Sequence, residues 1–401
     1  MNYQLLAIIY SLTTYGEGLV KEMCSREKHK ELITSAGRIA VKIGSSTLTH
    51  QTGKLNLNLI EKLVRQLIDL RNQNKEVLLI TSGAVGAGMG KLGLTEKPKT
   101  MPEKQAAAAV GQGILMHIYE KLFSEYGQVV AQLLLTRSDI TDRRRFLNAR
   151  NALLTLLQKG IVPIINENDT VAVEELRFGD NDTLGALVAG LVDADLLILL
   201  SDIDGLYTSD PRKDSSARLI KVVEEITTDI QGLAGDVGSK FGSGGMVTKV
   251  SAAKIAVNAG IPMIIANGGS ADIIRNICKG EELGTLFVPR EVRPHTRKRW
   301  IAFGSDIKGK LWVDPGARKA ILENGTSLLP SGITKIEGRF FSGNVVSIVD
   351  PRGLEFARGI VSYNSEELDK IKGIQCKDIP NILGYKDYDE VIHRDNLALR
   401  I

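Results

Sequence analysis

The chain has 401 residues, long enough for two domains with sizeable cores. Its 43% hydrophobic and 24% charged residues are the proportions of an ordinary globular protein, and a net charge of +4 does not by itself call for nucleic acid. Three scattered cysteines, Cys24, Cys278 and Cys376, with no CxxC pair, support neither a disulfide framework nor a structural zinc site and suit a reducing compartment.

Residues 1–36 read as an extension outside the main fold. Leu5 to Ile9 is apolar but too short to span a bilayer and lacks a basic lead, and Met23 would serve as an initiator, so a start-site artefact is expected rather than a signal peptide. From Gly37 strands and helices alternate. Strands are expected at 38–43, 77–81, 129–135, 161–165, 195–200 and 262–266, and helices at 57–72, 105–126, 143–159, 184–192 and 246–259. Each strand is a nearly unbroken apolar run, which suits a parallel sheet covered on both faces. A basic linker follows at 291–299. Short strands at 310–313, 344–349 and 355–362, separated by turn signals at Asp314-Pro315-Gly316, Pro330-Ser331-Gly332 and 350–353, make a small, mostly β domain over 300–385. Residues 386–401 read as a tail.

The most informative stretch is 161–186, IVPIINENDTVAVEELRFGDNDTLGA. A buried strand ends in Asn166-Glu167-Asn168-Asp169, and a second polar knot, Gly179-Asp180-Asn181-Asp182, opens a helix of small residues. Carboxylates and amides massed there are costly to desolvate unless they bind something, and ligands in open α/β sheets sit beyond the carboxyl ends of strands. Three glycine-rich turns could cradle phosphate: Gly44-Ser45-Ser46-Thr47, Ser82 to Gly88, and 242–249, GSGGMVTK. None fits GxxxxGK[ST] or GxGxxG, so neither a P-loop nor a dinucleotide fingerprint is present. Lys42, inside an apolar strand, either snorkels at the strand end or faces an anion; Lys249 sits one turn into a helix, within reach of the same anion. Two converging ammonium groups suit a transferring phosphoryl group.

In order, VKIGSSTL, TSGAVGAG, LLTRSD, RFLNARN, PIINENDTVA, GDNDTLGA, LLSDIDGLYTSDPR and GSGGMVTK closely resemble the amino acid kinase family, in its branch acting on glutamate. The all-β region resembles a PUA domain. The resemblance implies a three-layer αβα sandwich around a mainly parallel sheet over 37–290, followed by a small PUA-like barrel. It implies transfer of the γ-phosphoryl of ATP, with Mg2+, to the γ-carboxylate of L-glutamate, the first step of proline synthesis. By the same resemblance Lys42 and Lys249 are catalytic, and Asp180 lies between them and holds both. ATP falls to Lys42, Ser201, Asp202 and the run Ser243, Gly244, Gly245, Met246, Val247, Thr248 and Lys249. Glutamate falls to Ser82, Gly83, Ala84, Asp169 and Asn181, with Asp169 opposite the ammonium. No metal-contacting side chain is assigned.

The resemblance further implies feedback inhibition by proline, a homodimer or homotetramer, and a cytoplasmic location with no membrane contact. A sibling kinase acting on acetylglutamate, aspartate, carbamate or UMP is the alternative, although a substrate with an uncharged nitrogen would not need Asp169. The basic run Arg290, Arg293, Arg297, Lys298 and Arg299 would suit RNA, but regulation or assembly is the expected role of the PUA-like domain.

Overall fold

The computed structural model describes residues 26–50, 54–94, 96, 98–171, 181–234, 245–289 and 307–399. The chain forms two compact units, one of Met1–Asp142 with Asn148–Val292, the other of Arg143–Leu147 with Arg293–Ile401. The expected linker at 291–299 lies outside the described residues.

In the first unit, β1 (Arg38–Ile43), β2 (Glu76–Ile80), β3 (Val130–Leu135), β4 (Val162–Glu167), β5 (Leu196–Ser201), β6 (Val222–Val223), β7 (Met263–Asn267) and β8 (Thr285–Phe287) form a sheet in the order β3-β4-β2-β1-β5-β7-β8-β6. All pairings are parallel except β7 with β8. A strand covered on both faces must be apolar throughout. Accordingly every position of β5 is buried, and every position of β1 except the first.

The helices of this unit are α1 (residues 26–34), α2 (Ser45–Leu48), α3 (Leu57–Asn72), α4 (Ala84–Leu92), α5 (Met101–Ser124), α6 (Arg137–Thr141), α7 (Arg143–Gln158, whose first five residues group with the second unit), α8 (Asn181–Leu191), α9 (Thr228–Leu233), α10 (Met246–Asn258) and α11 (Ile273–Cys278). Ile60, Leu63, Val64, Leu67 and Ile68 of α3 recur at helical spacing and enter the core beside β1 and β2. α5 starts at a capping box between Thr100 and Glu103, which satisfies N–H groups the helix itself leaves open. No described helix is long and apolar enough to cross a membrane.

From β1 the chain adds β2 beside it, then β3 at the sheet edge and β4 between β3 and β2, before crossing to β5 and β7 on the other side of β1. The carboxyl end of β1 is therefore the switch point of the sheet, where two connections diverge and leave a crevice.

Residues 26–36 do not stand outside the fold. Ile33 and Ala36 are buried in the core of the first unit, and Lys75 donates to the Ala36 carbonyl at 2.6 Å. An apolar helical face covers the sheet whether or not a βα motif flags it. Residues 1–25 lie outside the described ones.

In the second unit β9 (Lys310–Val313), β10 (Ile333–Glu337), β11 (Val345–Val349), β12 (Glu355–Ile360) and β13 (Leu397–Leu399) form a mixed sheet in the order β10-β9-β11-β12-β13. Helices α12 (Pro315–Asn324), α13 (Ser365–Ile371) and α14 (Ile379–Leu383) accompany it. Two expectations fail here. Asp314-Pro315-Gly316 is a helix start, not a turn: Asp314 accepts from the Ala317 N–H at 2.7 Å and Pro315 occupies the first turn, where its missing N–H costs nothing. Nor do residues 386–399 of the expected 386–401 tail behave as one, because β13 pairs with β12 and Val391, Ile392, Leu397 and Ala398 are buried; 400–401 lie outside the described residues.

Candidate active site

Lys42 is the fifth residue of β1, in register with Ile80 of β2 and Leu199 of β5. Its stem is covered by Gly185 of α8, where a Cβ would stand 3.3 Å from Lys42 Cβ and Cγ. That bare contact brings the first turn of α8 over the end of β1, and Asp182, one turn before Gly185, meets the ammonium group. Lys42 Nζ donates to Asp182 Oδ1, and Lys249 Nζ donates to Asp182 Oδ2 at 3.0 Å. Thr248 Oγ1 lies 2.9 Å from Asp182 Oδ2 and 2.8 Å from the Gly245 carbonyl.

All three charged groups are buried, with Asp182 only 1% exposed. Burial pushes the Asp182 carboxyl up, but Lys42 and Lys249 outweigh it and bring it down to about 2. The cluster carries one net positive charge. A pair of ammonium groups held apart by one carboxylate is an arrangement for receiving an anion.

Among the described residues the carboxylate between the lysines is Asp182; Asp180, expected in that place, lies outside the described residues. The expected helix start at 184 left both carboxylates in a loop; α8 begins at Asn181 and puts Asp182 inside its first turn, where the helix dipole also favours a carboxylate.

Asn181 precedes Asp182 and points to the other half of the crevice. Its Nδ2 lies 2.9 Å from the Thr81 carbonyl, 2.8 Å from Ser82 Oγ and 2.9 Å from Asn166 Oδ1. Thr81 and Ser82 follow β2, and Asn166 is in β4. Gly83, next in the chain, adopts φ +93°, the left-handed region that glycine reaches without strain, and turns the chain into α4. The first N–H groups of α4, starting at Ala84, have no acceptor within the helix. Half-buried Asp169 stands in the loop after β4.

Across β1, Ser201 ends β5 in register with Asn267 of β7, and its hydroxyl donates to Asp202 at 3.1 Å. Gly245 precedes α10 and carries no side chain over the N–H groups of Met246, Val247 and Thr248. Ser243 and Gly244 lie outside the described residues. The structure thus joins Lys42, Asp182, Thr248 and Lys249 directly, and Asn181 with Ser82. Asp169 and Asp202 lie in the loops after β4 and β5, and Ser201 is the last residue of β5.

Three participants escaped sequence reading. Asp182 is one carboxylate of the polar knot and carries no assigned role in the sequence. Asn166 was one amide among several, and Gln112 on Ala-rich α5 gave no signal; yet Asn166 Nδ2 donates to Gln112 Oε1 at 2.8 Å.

Among the described residues no group of three carboxylate, histidine or cysteine side chains converges as a metal cluster. Asp182 is already engaged by two ammonium groups. A divalent cation would enter here as part of the nucleotide substrate, with its charge supplied to the phosphates.

Residues 37–267 match the amino acid kinase family and residues 309–383 the PUA domain. The chain is 58% identical over 367 residues to a glutamate 5-kinase of Moorella thermoacetica, covering 92% of this chain and 97% of that protein. It is 58% identical over 362 residues to one of Caldanaerobacter subterraneus subsp. tengcongensis, covering 90% and 97%. A glutamate 5-kinase of Carboxydothermus hydrogenoformans is 54% identical over 371 residues, covering 92% and 99%. The family model matched over more than half of the chain, and relatives matched along nine-tenths of it, place it in the amino acid kinase family, with a PUA domain following the kinase fold.

Proposed function

We propose that the Lys42–Asp182–Lys249 cluster drives ATP-dependent phosphorylation of the γ-carboxylate of L-glutamate, giving L-glutamyl 5-phosphate for proline synthesis. The observation that carries this is the pair of buried ammonium groups sharing one carboxylate beside a second, amide-lined half-site. ATP enters as its Mg2+ complex over the β5 side, its phosphates towards Gly245, Met246, Val247 and Thr248, with Ser201 and Asp202 at the nucleotide. Glutamate occupies the β2 and β4 side. Ser82 and the N–H groups at Gly83 and Ala84 take its carboxylates, while Asp169 and the Asn181 amide oxygen, whose nitrogen is already engaged by Thr81, take its ammonium.

A γ-carboxylate oxygen attacks the γ-phosphorus, the bond to the β–γ bridging oxygen breaks, and ADP leaves. The carboxylate is ionised at neutral pH, so no general base is required. Lys42 and Lys249 compensate the charge on the transferring group, and Asp182 prevents their mutual repulsion. A cytoplasmic location, proline as feedback inhibitor and assembly as a homodimer or homotetramer complete this reading, supported by the likeness to glutamate 5-kinases.

Trapping acyl phosphate with hydroxylamine tests it. With Mg·ATP, hydroxamate should form from L-glutamate and fall when proline is added. Signal from N-acetylglutamate and none from L-glutamate would overturn the substrate assignment.

A further inference from the structure

The amide half-site has an internal polarity that one backbone atom decides. The Thr81 carbonyl can only accept, so the Asn181 atom 2.9 Å from it must be the amide nitrogen. That nitrogen then requires an oxygen on Asn166, which also accepts from the Glu167 N–H at 2.9 Å. The other end of Asn166 is therefore its NH2 group, and it donates to Gln112 Oε1. Three amides from α8, β4 and α5 are thus oriented in series from Thr81.

α5 braces the same corner a second time. Tyr119, two turns along from Gln112 and fully buried, has its hydroxyl 2.9 Å from Thr81 Oγ1. Thr81 is in this way held by one residue of α5, and Asn166 by another. Two atoms in the chain of amides are buried without a partner among the described residues, Asn181 Oδ1 and Gln112 Nε2. A buried unpaired polar atom is costly, so a series ending in two of them is kept for a reason other than stability.

We propose that Gln112 is a positioning residue for the amino-acid substrate. Its Oε1 holds Asn166, and Asn166 holds the Asn181 amide in the one orientation that leaves Asn181 Oδ1 free as an acceptor. Resting on the glutamate reading above, Gln112 governs glutamate affinity without touching the phosphoryl group.

Gln112→Met, close to glutamine in length but with only a weakly accepting thioether in place of the amide oxygen, tests this in the full chain. The KM for glutamate should rise about tenfold, with the KM for ATP and kcat at saturating glutamate each within about twofold. In an Asn166→Ala background the same change should add less than about twofold, since its only route has been removed. A similar rise in the ATP KM, a fall confined to kcat, or an undiminished effect in that background would each overturn the proposal. Thermal unfolding should show Gln112→Met folded. If it is not, Gln112→Ala is read by the same criteria. Loss of glutamate turnover by the unsubstituted protein would instead sink the underlying reaction, so the two failures are distinguishable.

Discussion

At the scale of single residues, the decisive group is Asp182. Two buried ammonium groups would repel one another and resist desolvation; the carboxylate between them makes the cluster tolerable while leaving a net positive charge for the phosphoryl group proposed to bind there. Lys42→Met and Lys249→Met should each lower kcat by about a hundred- to a thousandfold with the fold retained, as loss of one transition-state donor does. Steady-state rates and far-UV circular dichroism check this, and near-normal turnover in either variant would remove that lysine from the phosphoryl site. Asp182 also makes a pH prediction. Its carboxyl lies near 2 in the folded state against an ordinary value of 3.8, so its contribution is complete above about 3.8 and is lost as pH falls towards 2. The contribution is on the order of 2 kcal/mol. Denaturant unfolding of wild type and Asp182→Asn should show a stability gap at neutral pH that narrows between about pH 4 and pH 2.

At the scale of elements, close helix contact sets the glutamate half-site. α4 and α5 touch backbone to backbone: a Cβ on Gly111 would lie 1.7 Å from the Ala84 carbonyl oxygen, and one on Gly88 would lie 1.8 Å from that of Ala107. Ala84 starts α4 and Gly111 precedes Gln112, so this contact places both the N–H groups of α4 and the amide brace of α5. Gly111→Ala should therefore destabilise by about 1–3 kcal/mol through overpacking and raise the glutamate KM more than that for ATP. Thermal unfolding and two-substrate kinetics read the two effects separately. Unchanged stability would mean that α4 and α5 part more easily than their contact implies.

At the scale of the molecule, the second unit depends on its last residues. Val391, Ile392, Leu397 and Ala398 lie in or beside its cores, Leu328 bridges to Ile392, and β13 closes the edge of β12. A chain ending at residue 385 exposes that apolar surface and an unpaired strand edge. It should show a lower-temperature unfolding transition and rapid proteolysis within 307–385. An unchanged protease pattern would return 386–401 to the status of a tail.

Much of this protein was determined by sequence alone. Unbroken apolar strands alternating with amphipathic helices specify a parallel sheet, and Lys42 in a strand and Lys249 after glycines point to the proposed phosphoryl site, because an isolated charge in apolar surroundings needs a reason. Tertiary structure decided which carboxylate meets them. Successive residues of a helix point about 100° apart, so Asn181 faces β2 and β4 while Asp182 faces β1 and α10. That assignment depends on where α8 begins, which local pattern leaves uncertain by a turn. Gln112 shows the same limit more strongly: a glutamine in an Ala-rich helix looks solvated until packing brings Asn166 against it. The cores that take up residues 26–36 and 391–398 are likewise invisible to motifs, since burial belongs to the assembled sheet and not to any local stretch of chain.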